Sequence, residues 1–201
     1  MNTKLLASLL LVGSGVIAAA DPAVRGPDFV AAHPPSGVAK GLAASDGTAP
    51  IEPLDVIAFA NGSATLLSSG DVQIDTAARW LHAHPGYKLV IEGHTDHAGS
   101  PEYNEDLATR RAEAVRQRLI HEGIASDRMV LVIFGEADAT DDVNVNDRRA
   151  VVYATRLPTR TIVTASLDKR HAQVAVWTRK GTLFQEQNNP QRPREVIATR
   201  R

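Results

Sequence analysis

A strand–loop–helix segment between residues 87 and 123 constrains the fold of this chain more than any other feature. Residues 87–92 alternate between two sets of side chains, which is the pattern of a strand with two different faces. After a short loop, Ser100 can cap a helix, and Pro101 suits its first position because the missing amide hydrogen would be unpaired there. Gly123 is a natural C-terminal stop. The segment therefore predicts a helix that directly follows a strand of a sheet.

Apolar runs on either side of this segment predict a layered fold. The β-prone run 54–59 comes first, and the apolar residues of 68–84 then recur at helical spacing, with Ser68 resembling the start of a capping box. Continuous apolar runs at 129–134 and 150–153 predict two further strands. The order strand, helix, strand, helix, strand, strand predicts an α/β sandwich with helices packed on one face of a mixed sheet.

Asp96 and Arg111 are the charged residues that this arrangement brings toward one small space. Asp96 follows the predicted strand, and Arg111 lies within the helix. A carboxylate only accepts hydrogen bonds, whereas a guanidinium donates them in a rigid fork, so the space suits a ligand with both an ammonium and a carboxylate. The alternative is a simple ion pair between the two side chains, which is the commoner outcome for an isolated Asp and Arg.

The spacing of the residues around this pair resembles that of a known family. The matching positions are Gly93-His94-Thr95-Asp96, Gly99, Asn104, Leu107 and Arg111-Ala112, with Phe59 and Ser63-Ala64-Thr65-Leu66 upstream and Gly135-Glu136 and Arg148-Arg149 downstream. Together they resemble the signature of the OmpA-like peptidoglycan-binding domain, of the kind found in OmpA, Pal and MotB. The resemblance covers roughly residues 51–157 and implies a β-α-β-α-β core.

The resemblance also implies a function and a set of site residues. In the family, the matching aspartate and arginine hold the diaminopimelate of the peptidoglycan stem peptide, which implies non-catalytic wall binding that anchors or organises the cell envelope. Ligand-binding positions are implied for Asp96, Arg111, Thr95, Asn104 and Arg149. Loop-support positions are implied for His94, Gly99 and Leu107. Of the paired arginines, Arg149 is chosen over Arg148 as the one that faces the ligand, and Thr95 and Asn104 are placed at the rim.

Three departures from the family pattern bear on ligand identity. Ala108 stands where a serine is usual, and Ala150 stands where a valine is common. The segment 135–147 is shorter than usual, acidic, and without the familiar proline. We expect these differences to affect the choice or the affinity of the stem peptide more than the fold.

The residues before the domain predict export. An apolar run that ends in three alanines predicts a secretory signal peptide over residues 1–20, and it is shorter than the roughly 20 residues of a membrane span. Residues 21–50 are rich in small residues and proline, which predicts a flexible linker. The chain has no cysteine and hence no lipobox cysteine. These features predict a secreted protein of the periplasm or cell envelope that is not a lipoprotein.

The residues after the domain predict a short β-rich extension over 158–186 and a basic disordered tail over 187–201. Strands are expected at 161–165, 172–178 and 182–184. From Arg156 onward there are ten Lys and Arg against three Asp and Glu, although the whole chain has a net charge of only −1. Such an asymmetry suits an envelope protein or a polyanion as partner, or merely a solvated basic surface. No nucleic-acid partner is expected.

Two rival function classes have less support in the sequence. His94 and His97 lie close to Asp96, but a fourth metal ligand is not apparent, so we expect neither a metal nor another cofactor. No nucleophile elbow, zinc-protease pair or phosphate-binding glycine loop is present, so we expect no enzyme. The remaining alternative is an interaction module whose basic extension captures a protein partner.

Overall fold

The computed structural model describes residues 51–140, 143–167, 172–178, 183–187 and 197–199, the last two segments as backbone only. The predicted signal peptide, the linker and most of the basic tail lie outside the described residues. Among the helices that are described, none is both long enough and apolar enough to cross a membrane.

The described residues form one mixed sheet with three helices. The strands are β1 Glu52–Ala58, β2 Lys88–His94, β3 Met129–Gly135, β4 Arg149–Thr155, β5 Gln173–Trp177, β6 Leu183–Gln187 and β7 Ile197–Thr199. The helices are α1 Ser68–Ala83, α2 Pro101–His121 and α3 Thr159–Leu167. The strand order is β1-β4-β2-β3-β5-β6-β7, in which β2 and β3 run parallel and the other neighbours antiparallel. The predicted mixed α/β fold is confirmed.

Helices α1 and α2 pack on one face of the sheet, which we call the first face. Their buried residues include Ile74, Leu81, Val115 and Leu119, which meet strand residues such as Leu89, Ile91, Leu131 and Val152. Helix α2 approaches β2 very closely at Gly93, where an added Cβ would lie 2.3 Å from the Ala108 carbonyl oxygen. A side chain at this position would therefore push α2 off the sheet.

The two helix starts differ in how they are capped. The Ser100 Oγ accepts a hydrogen bond from the Tyr103 amide at 3.2 Å, and Pro101 is the first residue of α2, as predicted. Helix α1 begins without a side-chain cap, because Ser68 is already helical and Leu67 occupies the capping position. The capping box predicted at Ser68 is therefore wrong.

Helix α3 covers the opposite face of the sheet, which we call the second face. Ile162 and Leu167 of this helix pack with a buried apolar set on the strands, formed by Val90, Val130, Val132, Phe134, Tyr153 and Val174. The strand predicted at 161–165 is wrong. Its β-branched residues favour a strand locally, but the spacing from Ile162 to Ser166 and Leu167 places their side chains on one helical face against the sheet.

The extension also continues the sheet at the outer edge of β3. Strand β5 pairs antiparallel with β3 from Val130 opposite Val176 to Ile133 opposite Gln173. The Arg116 guanidinium of α2 lies over the Trp177 ring at 4.0 Å, which adds a contact between the first-face helix and β5. Strands β6 and β7 follow outward, and β7 lies within the segment that was predicted to lack regular structure.

Candidate functional site

Asp96 lies in the loop after β2, close to Arg148, which directly precedes β4. The Arg148 Nε donates a hydrogen bond to the Asp96 Oδ2 at 2.7 Å. The Asp96 residue is only 4% exposed, so this ion pair is largely shielded from solvent. Shielding makes the pair stronger than a surface salt bridge, provided that the remaining polar atoms find partners.

Arg111 is the largest fully buried side chain in the described residues, at 1% exposure. Its Nε donates to the Ser63 carbonyl at 2.9 Å, its Nη1 to the His94 carbonyl at 2.8 Å and its Nη2 to the Ala60 carbonyl at 3.2 Å. The guanidinium also lies over the Phe59 ring, with 5.4 Å between its central carbon and the ring centroid. Arg111 thereby ties the loop after β1 to the end of β2.

Asp96 and Arg111 share an electrostatic environment without forming an ion pair. Burial lowers the pKa of Arg111 from its ordinary value to about 10, the Asp96 carboxylate opposes this shift, and the Arg148 charge adds to it. Arg111 is still a cation at neutral pH. The alternative of a direct Asp96–Arg111 pair is not what the structure shows, because the carboxylate is paired with Arg148.

Arg149, the predicted site arginine, does not contact Asp96 in the structure, and its ligand-binding role stays a prediction. The Arg149 Nη1 donates to the Asn146 carbonyl and to the Asp147 Oδ1, both at 2.8 Å, and so closes the acidic loop on itself. It is Arg148 that contacts Asp96. The sequence alone could not decide between Arg148 and Arg149, because the alternation of side chains between the two faces of a sheet does not extend to residues before the strand.

Thr95 and Asn104 lie beneath the site and not at its rim. Both are fully buried, with the Thr95 amide donating to the Gly135 carbonyl at 2.8 Å and the Asn104 Nδ2 donating to the Glu136 Oε2 at 2.6 Å. Within the described residues, the Thr95 Oγ1 and the Asn104 Oδ1 have no hydrogen-bond partner. Their predicted ligand-binding role stays a prediction, and any contact would need the loop to open or a buried water to mediate.

His94, for which loop support is predicted, contacts its surroundings by ring stacking. Its ring lies against Phe134, with 5.1 Å between centroids and 7° between planes, and neither ring nitrogen has a hydrogen-bond partner among the described residues. The Nε2 lies 3.5 Å from the Glu92 Oε2, and the Glu92 Oε1 accepts a hydrogen bond from the Tyr153 hydroxyl at 2.8 Å. The His94 side chain is thus on the second face.

The His94–His97 metal site is not assembled in the structure. His94 is buried against Phe134, whereas His97 is exposed in the loop that follows Asp96. No group of three or more His, Asp or Glu side chains in the described residues could hold a metal ion.

Tyr103 borders the candidate site, and sequence reasoning did not single it out. Gly99 has a φ of +118°, and a Cβ there would lie 3.0 Å from the Tyr103 Cδ1. Gly62 has a φ of +61°, and a Cβ there would lie 3.3 Å from the Tyr103 hydroxyl oxygen. The tyrosine ring, 45% exposed, therefore spans from the Asp96 loop to the loop after β1. Leu107, one turn further along α2, is buried as loop support requires.

A surface groove of about 620 Å³ runs beside the loop that Arg111 holds. Its lining residues are Gly62, Ser63, Ala64, Thr65, Thr109, Arg110 and Glu113. Thr109, Arg110 and Glu113 were not predicted, because they lie on the side of α2 that carries no family signature. The groove gives an extended ligand room next to the buried charges.

Comparison with known proteins identifies the domain. The OmpA family profile matches residues 58–152. The peptidoglycan-associated lipoprotein of Rhizobium meliloti is 35% identical over 102 residues, which are 48% of this chain and 58% of the relative. The peptidoglycan-associated lipoprotein of Mesorhizobium japonicum is 34% identical over 102 residues, 48% of this chain and 61% of the relative. The crystal structure of the peptidoglycan-associated lipoprotein from Burkholderia pseudomallei shares 30% identity, with a TM-score of 0.46, over 54% of this chain and 97% of that chain.

These relatives correct the predicted localisation. They are named lipoproteins, which contradicts the prediction of a secreted protein that is not a lipoprotein. That prediction rested on the absence of cysteine from the sequence, and the names of the relatives overrule it. The chain also spans only about three fifths of the length of these curated relatives.

The sequence match and the ordered set of site residues fall on the same strands and helices. Residues 58–152 reach from the end of β1 into β4 and include Asp96, Arg111 and Arg148. These residues therefore form an OmpA-family domain.

Proposed function

We propose that this protein binds peptidoglycan non-covalently through its OmpA-family domain and thereby anchors or organises the cell envelope. The observation that carries the proposal is the shielded Asp96 carboxylate, which lies within the field of two arginines, Arg148 and Arg111. A zwitterionic ligand needs such an acceptor and such a donor side by side.

The ligand that fits best is the diaminopimelate of the stem peptide. Its free end carries an ammonium and a carboxylate on one carbon, so the ammonium can pair with Asp96 and the carboxylate with an arginine. The groove beside the Gly62–Thr65 loop gives the rest of the stem peptide a place to lie. The names of the relatives, which are peptidoglycan-associated, support peptidoglycan as the partner.

The charges around Asp96 favour binding over catalysis. A wall hydrolase of the usual kind works with two carboxylates that flank the bond to be cleaved. Here the groups that interact with Asp96 are the cations Arg148 and Arg111, and the nearby Glu136 is engaged by Asn104. The site thus offers complementary charge to a bound ligand.

Single-site affinity is expected to be modest. Hydrogen bonds to charged groups contribute about 1.5–3 kcal/mol each, and the ligand must compete with the Arg148–Asp96 pair. A wall displays many copies of the stem peptide, so rebinding to neighbouring copies can supply retention.

Co-sedimentation with purified peptidoglycan sacculi tests the proposal. We expect the wild type to pellet and Asp96→Ala to stay in the supernatant with an unchanged circular dichroism spectrum. Asp138→Ala is the matched control, because it removes an exposed carboxylate from the neighbouring loop, and it should pellet like the wild type. Pelleting of Asp96→Ala at the wild-type level would reject this site. Sacculi with lysine in place of diaminopimelate should retain less wild-type protein.

A further inference from the structure

The end of the sheet opposite the Asp96 loop carries a group of cations. Lys88 is the first residue of β2, Arg128 directly precedes β3, and Arg156 directly follows β4. Strands β2 and β3 begin at this end and β4 finishes there, because β4 runs antiparallel to β2. The seven residues of β2 place this end roughly 20 Å from the Asp96 loop.

Contacts with two neighbouring residues bring these three cations together. The Arg128 Nη2 donates to the Tyr87 carbonyl at 2.9 Å, and the Arg156 guanidinium lies over the Tyr87 ring, with 4.6 Å between its central carbon and the ring centroid. The Lys88 Nζ donates to the Asp127 carbonyl, one residue before Arg128, at 3.3 Å. Each of these contacts is with a backbone carbonyl or a ring, so none of them neutralises a positive charge.

Arg160, in the first turn of α3, adds a fourth cation close to Arg156 in the chain. Both side chains are exposed, and neither forms a hydrogen bond or an ion pair with the residues that the structure describes. Their charged groups are therefore available to a partner. We call the following four residues the basic end: Lys88, Arg128, Arg156 and Arg160.

Nearby carboxylates offset only part of this charge. Asp127 interacts with the charge of Arg128, and Glu52 lies on β1 opposite Ala154, near the end of β4. Glu122, at the end of α2, is engaged by Arg118. Four cations against the carboxylates of Glu52 and Asp127 leave the basic end with a net positive charge.

The basic end is also where the charge asymmetry of the sequence begins. Arg156 and Arg160 are the first two of the ten Lys and Arg residues that stand against three Asp and Glu from position 156 onward. The proposed binding of peptidoglycan by the Asp96 loop makes no use of this excess. A positive surface at the other end of the same strands therefore needs a partner of its own.

We infer that the basic end binds the phosphate groups of an anionic lipid surface. Its cations lie across the ends of β4, β2 and β3, three neighbouring strands that together span roughly 10 Å. Each of these strands has a neighbour on both sides, so this end presents no open strand edge to a peptide. Fixed cations in a row at the end of a sheet suit a flat anionic surface, which attracts Lys and Arg that come close to it.

The choice of a membrane as the source of the phosphates rests on the proposed function. When the Asp96 loop binds the stem peptide, the opposite end of the same strands points away from that peptide. A lipid bilayer is the extended surface that flanks the wall in a cell envelope. The domain would then contact the wall with one end and the membrane with the other.

Co-sedimentation of the whole 201-residue chain with lipid vesicles tests the inference. One set of vesicles contains phosphatidylcholine alone, and the other is an equal mixture of phosphatidylcholine and phosphatidylglycerol. The apolar residues near the N-terminus can insert into both kinds, so the ratio of the two partition coefficients isolates the contribution of charge. We expect a clear preference for the anionic vesicles at low salt, and we expect high salt to remove it.

Two double variants remove equal charge from different places. Arg156→Gln with Arg160→Gln should lower the preference for anionic vesicles about 30-fold, because each cation near such a surface contributes about 1 kcal/mol. Arg200→Gln with Arg201→Gln is the matched control from the C-terminus and should lower it much less. Arg156→Lys with Arg160→Lys retains both charges and should bind like the wild type.

A single variant guards against loss of the fold. Arg156→Gln also removes the contact with the Tyr87 ring, so circular dichroism and the melting temperature are measured for every variant. Arg160→Gln removes no contact with the described residues, and alone it should lower the preference for anionic vesicles about fivefold.

Three results would overturn the inference. Equal losses in the two double variants would mean that net charge, and not the basic end, decides binding. Release by soluble inorganic phosphate, beyond release by sodium chloride of equal ionic strength, would mean that the protein binds a single phosphate and not a lipid surface. A wild type with no preference for anionic vesicles would reject lipid binding.

Sacculi distinguish a failure of this inference from a failure of the proposed function. Arg156→Gln with Arg160→Gln should still pellet with sacculi, because the Asp96 loop is intact. A wild type that pellets with sacculi and shows no preference for anionic vesicles contradicts the lipid inference alone. A wild type that binds anionic vesicles through the basic end and does not pellet with sacculi contradicts the proposed function, and the phosphates then belong to a surface other than one beside the wall.

Discussion

The two faces of the sheet are covered by helices from different parts of the chain. The first face is closed by α1 and α2, which lie within the OmpA-family match, and it buries Arg111 over Phe59 together with aliphatic and aromatic residues. The second face is closed by α3 and by residues of β5, which follow that match, and it buries Glu92 and His94 together with its apolar set. One face is the family's own core, and the other is completed by the extension.

This difference shows that the extension is a structural part of the domain. Ile162, Leu167 and Val174 cover Val90 and Val132, which alternate along β2 and β3 with residues of the first face. Removal of the chain after Leu157 would uncover these valines and the outer edge of β3 together. A truncation would therefore confuse loss of a partner with loss of the fold, so point variants are the better test of the extension.

The largest effect is expected from a side chain added to the first face. Gly93→Ala would place a Cβ 2.3 Å from the Ala108 carbonyl oxygen, so α2 must move off the sheet, at a cost of about 4 kcal/mol. Urea unfolding followed by circular dichroism measures this loss. Gly86→Ala is the control, because nothing lies within 4 Å of its added Cβ, and it should leave stability nearly unchanged. Equal stability of the two variants would contradict the close contact.

A cavity created on the second face should lower the free energy of unfolding nearly as much as a cavity on the first face. Ile162→Ala removes a fully buried side chain from α3, and we expect a loss of about 2–4 kcal/mol in the free energy of unfolding. Leu119→Ala in α2 is the matched comparison on the first face, since Leu119 is also fully buried. If Ile162→Ala is silent while Leu119→Ala is not, then α3 is only loosely attached and the two faces are not equivalent.

The smallest effect concerns the loop that leads into β4, and it depends on pH. Burial opposes ionisation of Asp147, but hydrogen bonds from Thr140 and Arg149 outweigh burial and hold its pKa below the ordinary 3.8. A carboxylate with a lowered pKa stabilises the fold above its ordinary pKa, and this stabilisation is lost as the pH falls through the lowered value. Asp147→Asn should cost about 1–2 kcal/mol at pH 6, as expected for lost charged hydrogen bonds.

The pH series supplies the check on this variant. Urea unfolding between pH 6 and pH 3 should show the difference between wild type and Asp147→Asn shrinking once the pH drops below about 4. A difference that stays constant over this range would mean that the Asp147 charge contributes nothing.

Local signals predicted the family core well. The cap at Ser100, the proline after it and the glycine at 123 marked α2, because these residues satisfy or terminate helix ends by their own chemistry. The strand predicted at 161–165 was wrong, because β-branched residues favour a strand until burial against the second face decides otherwise. Such tertiary contacts have no local signature.

The residues of the candidate site could likewise be predicted only in part. The position of Asp96 after β2 followed from spacing, and the ordered family residues pointed to Arg111 and the paired arginines. The partners of Arg111 could not be predicted, because all three are backbone carbonyls, which every residue carries. The choice between Arg148 and Arg149 depended on how β4 begins, and sequence does not define a strand start to one residue.

The strand order has a mechanical consequence. Strand β1 lies at one edge of the sheet and β7 at the other, with five strands between them. At about 4.8 Å per strand, the segments that flank the sheet leave it roughly 29 Å apart. A pull between those segments would load every strand pair in series, and the shortest ladder would open first. That ladder joins β6 and β7 through three residue pairs, so the sheet would fray from its C-terminal edge while the Asp96 loop kept its shape.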